Sequence, residues 1–338
     1  MLWIIIVTSK CNLKCKYCGG SIPGMAEKPQ YNIESLSDFI SRDKNAIVAF
    51  YGGEPLLKDK ILKEMIDILP ARKFVLQTNG FFIKRIGNYI HKIDSILLSI
   101  DGRKEITDFY RCKGCYDAVM NALKFLKENG YKGEIIARMT ASYKTDIYKD
   151  VKHLLNFFPY VHWQLDVVWS NLWNLNEFKK WAEKSYKPGI KKLIKEWVES
   201  INKPLGIIPF LGIMTRIIDG KQGLPCGAGE NAFTITPEGK ILACPIAYEF
   251  KWNLLGNFNS YKKIHVDEPC KSCPYYRICG GRCLFAYKEK LWGEEGFKEI
   301  CNVTIFLINE LKKYENLAKK FYHKIKYPPY NNTTEIIP

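Results

Sequence analysis

Cys11, Cys15 and Cys18 stand at C-x3-C-x2-C spacing directly behind an apolar, β-branched run from Leu2 to Val7. Thiolates so spaced can hold three irons of a 4Fe–4S cluster, where four cysteines would close it. The fourth iron then stays open to a ligand the protein does not supply, and an open metal position is what catalytic sites keep and structural sites lack. A second field of seven thiols follows: Cys226, Cys244, Cys270, Cys273, Cys279, Cys283 and Cys301. Zinc is the simple rival there, because two closely spaced thiol pairs make a four-cysteine site. Seven thiols do not divide into fours, whereas iron–sulfur chemistry with one open or foreign ligand accommodates seven. Cys112 and Cys115, in Arg111-Cys112-Lys113-Gly114-Cys115, belong to neither field. They fit a surface loop with two thiols or an incidental disulfide, a catalytic redox or substrate-handling pair, or the supply of a missing cluster ligand. Exposed C-x2-C thiols can have lowered pKa values, which keeps the functional readings open.

These thiols need a scaffold. Apolar, β-rich runs over 2–8, 46–51, 73–77, 94–100, 134–140 and 161–168 alternate with helical patterns near 33–42, 58–69, 82–91, 116–129 and 146–157. Strand, helix, strand at this pace predicts a parallel sheet with right-handed crossovers. Six units are too few for a closed eight-fold barrel, so a partial (β/α)6 barrel or an open doubly wound sheet fits. In either, the active site lies at the carboxyl ends of the strands. This first domain spans 1–203, and its last part, 176–203, reads as a lysine-rich helical pair broken by Pro188-Gly189. Residues 204–225, with Pro204, Pro209, Gly212, Gly220 and Pro225, read as a linker. A small α+β domain over 226–305 follows, then a carboxyl-terminal helix and, from Tyr330 to Pro338, a loose polar tail. Within the small domain, 231–236 and 240–243 alternate around Pro237-Glu238-Gly239, a hairpin signal that brings Cys226 and Cys244 near each other.

Polar motifs fall at successive strand ends. The thiol triad follows the first strand, Gly52-Gly53-Glu54-Pro55 the second and Thr78-Asn79-Gly80 the third. Ser99-Ile100-Asp101-Gly102 ends the fourth strand, the fifth carries Arg138, and the sixth ends in Gln164-Leu165-Asp166-Val167-Val168-Trp169, with Trp173 close behind. Glycines there let a ligand approach the backbone, and a glutamate accepts from an amine. Arg138 is a fixed cation suited to a carboxylate. Asp166 is a candidate general base, with an ordinary strand-end carboxylate as the alternative. A Gly-Gly-Glu alone is a plain turn; the five polar sets from the triad to Arg138 on one rim argue against coincidence.

The triad followed by Gly-Gly-Glu-Pro and Thr-Asn-Gly resembles the radical S-adenosylmethionine (SAM) enzymes. That resemblance implies that the open iron chelates the amino and carboxylate groups of SAM. One electron then cleaves SAM to a 5′-deoxyadenosyl radical, which abstracts hydrogen from the substrate. It maps Gly52, Gly53 and Glu54 onto the SAM amino group, places Thr78 and Asn79 among the SAM contacts, puts Ser99 and Asp101 near the ribose, and puts Arg138 near the carboxylate. The second thiol field resembles the SPASM extension of the same family, C-x(9–15)-G-x4-C, then C-x2-C-x5-C-x3-C, then C. By that resemblance Cys270, Cys273, Cys279 and Cys301 hold one auxiliary 4Fe–4S cluster, and Cys226, Cys244 and Cys283 hold another. The three clusters and SAM are the implied cofactors. The second auxiliary set lacks a fourth cysteine, because Gly227-Ala228-Gly229-Glu230 offers none. Peptide-modifying relatives often carry a leader-binding domain ahead of the first strand, and none is expected here.

Formal net charge is +16 over 338 residues, with 47% hydrophobic and 14% aromatic residues. Such a chain folds. The lysines are scattered over amphipathic helices, so a solvated face is expected before attraction to an acidic partner, and no DNA partner is expected. No apolar run reaches the roughly 18 residues of a membrane span. The start has no signal-peptide pattern. A cytoplasmic protein with reduced, metal-ligating cysteines is the expectation. The function that follows is radical modification of a peptide or protein side chain, by oxidation or cross-linking, with electrons from a ferredoxin or flavodoxin. The alternatives are the same chemistry on a small molecule, such as a cofactor or tetrapyrrole precursor, and an iron–sulfur electron carrier or scaffold, which would have no use for Gly-Gly-Glu or Arg138.

Overall fold

Leu2–Thr8 forms the first strand, β1, and all seven of its residues are buried. A continuous apolar run of this kind suits a parallel sheet covered on both faces. The computed structural model describes residues 1–18, 24–168, 171–220, 223–327 and 337–338. The other strands are β2 (Ile47–Gly52), β3 (Lys73–Thr78), β4 (Ser95–Ser99), β5 (Glu134–Ala141), β6 (Tyr160–Leu165), β7 (Ala232–Ile235), β8 (Lys240–Leu242) and β9 (Leu254–Asn257). They make one sheet in the order β6-β5-β4-β3-β2-β1-β7-β8-β9. Strands β1 to β6 run parallel, each beside the next, with Ile6 opposite Tyr51, Thr78 opposite Leu98 and Ser99 opposite Arg138. That register brings six carboxyl ends to one rim, and the unclosed sheet is a partial barrel.

Helices Ile33–Ile40, Asp59–Ile68, Cys115–Glu128 and Ile147–Leu155 connect the strands where the sequence predicts them. Asn32 and Asp146 cap two of them, each accepting backbone N–H bonds from the first turn. The run Ile83–Lys92 is instead a 3-10 segment interrupted at Gly87, whose φ of +57° breaks the helical path.

Three expectations are corrected. Pro188-Gly189 does not split a helical pair. Leu175–Trp181 passes through a π turn, Ala182–Tyr186, into Lys187–Glu199 without leaving the helical path, and the π turn directly ahead of Pro188 accommodates its ring and missing N–H. Gly189 serves close packing, since a Cβ there would meet Ile147 Cγ2 at 2.5 Å. Residues 204–225 hold a buried helix, Ile208–Asp219, where a linker was expected. Its prolines mislead because Pro209 again sits in a first helical turn. Ile207 bridges Val161, and Phe210 meets Trp163 edge-on at 5.9 Å, so this helix covers the open edge at β6. The chain end is likewise no loose tail in its described part. Ile337 is fully buried, and the Pro338 carbonyl oxygen accepts from Arg282 Nε at 2.7 Å; 328–336 lie outside the described residues.

The expected hairpin is present, with Thr234 opposite Leu242 and Gly239 at φ +79° in its turn. It extends the barrel sheet, because β7 pairs in parallel with β1, Leu2 opposite Ala232. Helix Gly293–Lys312 then packs on Lys187–Glu199 and Ile208–Asp219. Among the described residues no helix is long and apolar enough to cross a membrane.

Candidate active site

The rim of strand ends surrounds one cleft of about 190 Å³. Cys11, Cys15 and Cys18 line it together with Gly52, Gly53, Glu54, Thr78, Asn79, Ser99, Arg138 and Asp166. Residues from eight separate stretches of sequence meet there, chiefly because parallel strands deliver their carboxyl ends side by side.

The glycines are required by backbone contact. A Cβ on Gly52 would stand 2.3 Å from the Thr8 carbonyl oxygen, and one on Gly53 would stand 2.2 Å from that of Lys10. The turn after β2 is thus pressed against the loop that carries the triad. Glu54 is fully enclosed behind it. Its Oε1 accepts from Leu56 N at 3.0 Å and Thr78 Oγ1 at 2.8 Å, and its Oε2 accepts from Asn79 N at 2.8 Å. A carboxylate offers about four acceptor positions, so one remains for a donor in the cleft. Burial pushes this carboxyl up to about 7 against the pull of its three donors. Asn79 continues the chain of contacts, its Nδ2 donating to Asn12 Oδ1 at 2.9 Å and lying 4.0 Å from Cys11 Sγ.

Asp101 is placed differently from its expected position near a ribose. It is fully buried and does not line the cleft. Its Oδ1 accepts from Arg111 Nη2 at 2.8 Å and Thr140 N at 2.9 Å, and its Oδ2 from Tyr17 Oη at 2.6 Å and Arg111 Nε at 2.8 Å. All four acceptor positions are taken from within the protein. Arg111 itself does reach the cleft wall, as do Tyr17, Tyr51, Gln77 and Gln164. None of these was singled out from sequence. Arg111 stands beside Cys112 in sequence, and its pairing with Asp101 ten residues back depends on the turn of helix Lys104–Tyr110, which no spacing motif marks.

Arg138 is 7% exposed, with Nη1 donating to the Met139 carbonyl at 2.9 Å and Nη2 to Gln164. Asp166 accepts from Ser142 Oγ at 2.7 Å, and the Trp173 indole donates to its backbone carbonyl at 2.8 Å. Trp173 is therefore packing, and Trp169 lies outside the described residues. Burial pushes the Cys15 thiol up to about 11, with Arg111 pulling it the other way, and burial also raises Cys11. Protonated thiols must lose their protons to bind iron, so metal loading here releases protons.

Cys112 and Cys115 are joined in a disulfide. Neither lines the cleft, and Cys115 starts helix Cys115–Glu128 as a buried residue. Their placement agrees with the disulfide alternative and removes them as ligands of another site.

In the second field, Cys270, Cys273, Cys279 and Cys301 line a single cavity whose wall also includes Tyr275, Tyr276, Phe297, Ile300, Thr304 and Ile305. Cys301 comes from helix Gly293–Lys312, more than twenty residues after the others. Burial pushes Cys270 up to about 11 and Cys279 up to about 12. Arg282 stands in the same wall at 4% exposure, and its Nη1 and Nη2 have no hydrogen-bond partner among the described residues. Two buried cationic donors beside four thiols fit an anionic group with sulfur acceptors. Cys244 and Cys283 share a separate small apolar cluster with Ala247, Phe285 and Ala286, while Cys226 packs against the main core. Cys226 and Cys244 leave the same end of the β7–β8 hairpin. Among the described residues no three His, Cys, Asp or Glu side chains form a site for a single metal ion.

The radical SAM superfamily model matches residues 5–158. The chain is 27% identical over 326 residues to the cysteine-type anaerobic sulfatase-maturating enzyme of Clostridium perfringens, covering 82% of this chain and 86% of the relative. Among solved structures, native anSMEcpe with bound AdoMet and Cp18Cys peptide superposes with a TM-score of 0.69 at 23% identity, covering 94% of this chain and 99% of that one. SuiB of Streptococcus suis bound to its precursor peptide SuiA gives 0.57 at 16% identity, covering 86% and 73%. Residues 5–158 therefore match a radical SAM superfamily domain, and the chain as a whole has the fold of the solved anSMEcpe structures.

Proposed function

We propose that this protein is an oxidoreductase that modifies a side chain of a peptide or protein substrate by radical chemistry. The observation that carries the proposal is the convergence of Cys11, Cys15 and Cys18 with Gly52, Gly53, Glu54, Ser99, Arg138 and Asp166 on one cleft. A cluster at the triad with SAM beside it supplies reductive carbon–sulfur cleavage and a carbon radical that abstracts hydrogen. The chain's own groups bind and orient. The remaining acceptor position of Glu54, with the half-buried backbone of Gly52 and Gly53 that lines the cleft, takes an ammonium. Arg138 takes a carboxylate, and Ser99 and Thr78 or Asn79 offer hydroxyl and amide partners along the same wall. Asp166, reached from the cleft and held by Ser142, accepts a proton from the substrate. Asp101 positions Tyr17 and Arg111 behind Cys15.

Cys270, Cys273, Cys279 and Cys301 hold one auxiliary 4Fe–4S cluster and Cys226, Cys244 and Cys283 a second, making three. The relatives' peptide-bound structures support a peptide substrate. Electrons come from an acidic carrier, a ferredoxin or flavodoxin, for which the exposed Lys14 and Lys16 in the triad loop offer complementary charge. The ten free, ligand-type cysteines beside the single Cys112–Cys115 disulfide support a cytoplasmic location.

The test is anaerobic incubation with SAM, a reductant and candidate peptides in protiated and deuterated form. Deuterium in the released 5′-deoxyadenosine identifies substrate and position. SAM cleavage at the wild-type rate by Cys15→Ala would remove the radical assignment. Turnover of small molecules with no peptide labelled would replace the peptide substrate by the small-molecule alternative.

A further inference from the structure

Arg282 is a cation with an unusual amount arranged around it. Its backbone sits at φ +55°, in the left-handed region that favours glycine. The two residues before it are glycines for steric reasons. A Cβ on Gly280 would stand 1.8 Å from the Gly223 carbonyl oxygen, and one on Gly281 would stand 2.8 Å from Val266 Cγ1. At 282 the same backbone conformation carries a long side chain instead. That side chain is anchored, since Nε donates to the Pro338 carbonyl oxygen at 2.7 Å and the chain end is folded in beside it. Anchoring Nε fixes the plane of the guanidinium and so fixes where Nη1 and Nη2 point. Those two nitrogens are buried without partners among the described residues, in the wall shared with Cys270, Cys273, Cys279 and Cys301. Burying two N–H donors without partners is costly unless an acceptor meets them.

We propose that Arg282 is the potential-setting residue of the auxiliary cluster held by those four thiols, donating from Nη1 and Nη2 to its sulfurs. The inference rests on the auxiliary-cluster assignment above. A cluster with four thiolates is an anion, and each added electron makes it more negative. A fixed cation and N–H donors at its sulfurs favour the reduced form and raise the reduction potential. Arg282 acts on the cluster and touches no substrate, so it is a positioning residue. Its neighbour in sequence, Cys283, belongs to the other thiol set, which puts the cation between the two auxiliary positions along the chain.

The experiment uses the full chain, reconstituted anaerobically, as wild type, Arg282→Gln and Arg282→Lys, with iron counting and a potentiometric titration followed by electron paramagnetic resonance. The relevant signal is the one lost in Cys279→Ala. The expected result is unchanged iron and a lower midpoint for that signal in Arg282→Gln. The shift is at least tenfold in the oxidised-to-reduced ratio at fixed potential, about 59 mV for one electron. Arg282→Lys shifts it less, and the triad signal does not move. Full iron with an unmoved midpoint in Arg282→Gln overturns the proposal. If Arg282→Gln loses this cluster's iron, recovery of the iron in Arg282→Lys supports a requirement for the cation, and loss in both variants overturns it. A wild-type protein with about four irons and no auxiliary signal overturns the cluster assignment itself, and is recognised before any variant is made.

Discussion

Arg111 grips Asp101 at two points, Nε on Oδ2 and Nη2 on Oδ1, each at 2.8 Å, and the aspartate is wholly buried. The pair ties the segment after helix Lys104–Tyr110 to the end of β4, directly behind Cys15. Removing one member of a buried pair strands the other, which costs about 3–5 kcal/mol. Asp101→Ala should lose about that much in urea unfolding and should load less iron at the triad. A stability loss under about 1 kcal/mol would mean that the pair contributes little to holding this loop.

Glu54 makes a prediction about pH. Its folded pKa of about 7 lies above the ordinary value of 4.5. Between those values the folded chain keeps a proton that the unfolded chain has released, so stability falls as pH rises through that window. The shift bounds the effect at about 3 kcal/mol. Anaerobic urea midpoints compared at pH 5 and pH 8 should show the decline in wild type and lose it in Glu54→Gln. An equal slope in both proteins would assign it to other groups.

The four thiols around the second cavity should act as a unit. Cys279→Ala is expected to lower iron from about twelve to about eight per chain while SAM cleavage at the triad continues. Iron unchanged in that variant would separate these cysteines from any cluster.

Lys14 and Lys16 are exposed between the triad cysteines, and the Lys16 ammonium lies 3.5 Å from the Phe109 ring centroid. Charge reversal at both positions should slow reduction by an acidic carrier protein roughly tenfold at low salt. The difference should fade toward 1 M salt, where the Debye length is about 3 Å. Reduction rates equal to wild type at low salt would move the docking surface elsewhere.

Helix Ile208–Asp219 supports the barrel and is not a connection. Phe210 is completely buried against Trp163 and Trp197, so Phe210→Ala should cost about 3–5 kcal/mol by cavity formation. A change below 1 kcal/mol in the unfolding free energy would restore the linker reading.

Much of the scaffold was legible because its signals are local. Buried parallel strands read as apolar runs, and β1 through β6 fall within a few residues of their expected places. Proline misled twice: Pro209 is at home in a first turn, and Pro188 follows a π turn that accommodates it within a continuous helix. Sequence shows the residue, and only the helix boundary says which case applies. The hairpin at Pro237-Glu238-Gly239 was visible, but its pairing with β1 was not, since strand partners are chosen by packing across the whole sheet.

The same division holds at the opening triad. Spacing by itself pointed to Cys11, Cys15 and Cys18 as three ligands that would leave one iron open, and to seven later thiols as a second field, because ligand spacing is written along the chain. Only the tertiary structure decided that Asp101 is spent on Arg111, Tyr17 and Thr140, that Glu54 keeps one acceptor position, and that Arg282 faces four thiols with two unpartnered donors. Those outcomes depend on which groups burial brings within about 3 Å of one another, and no spacing along a chain encodes that distance.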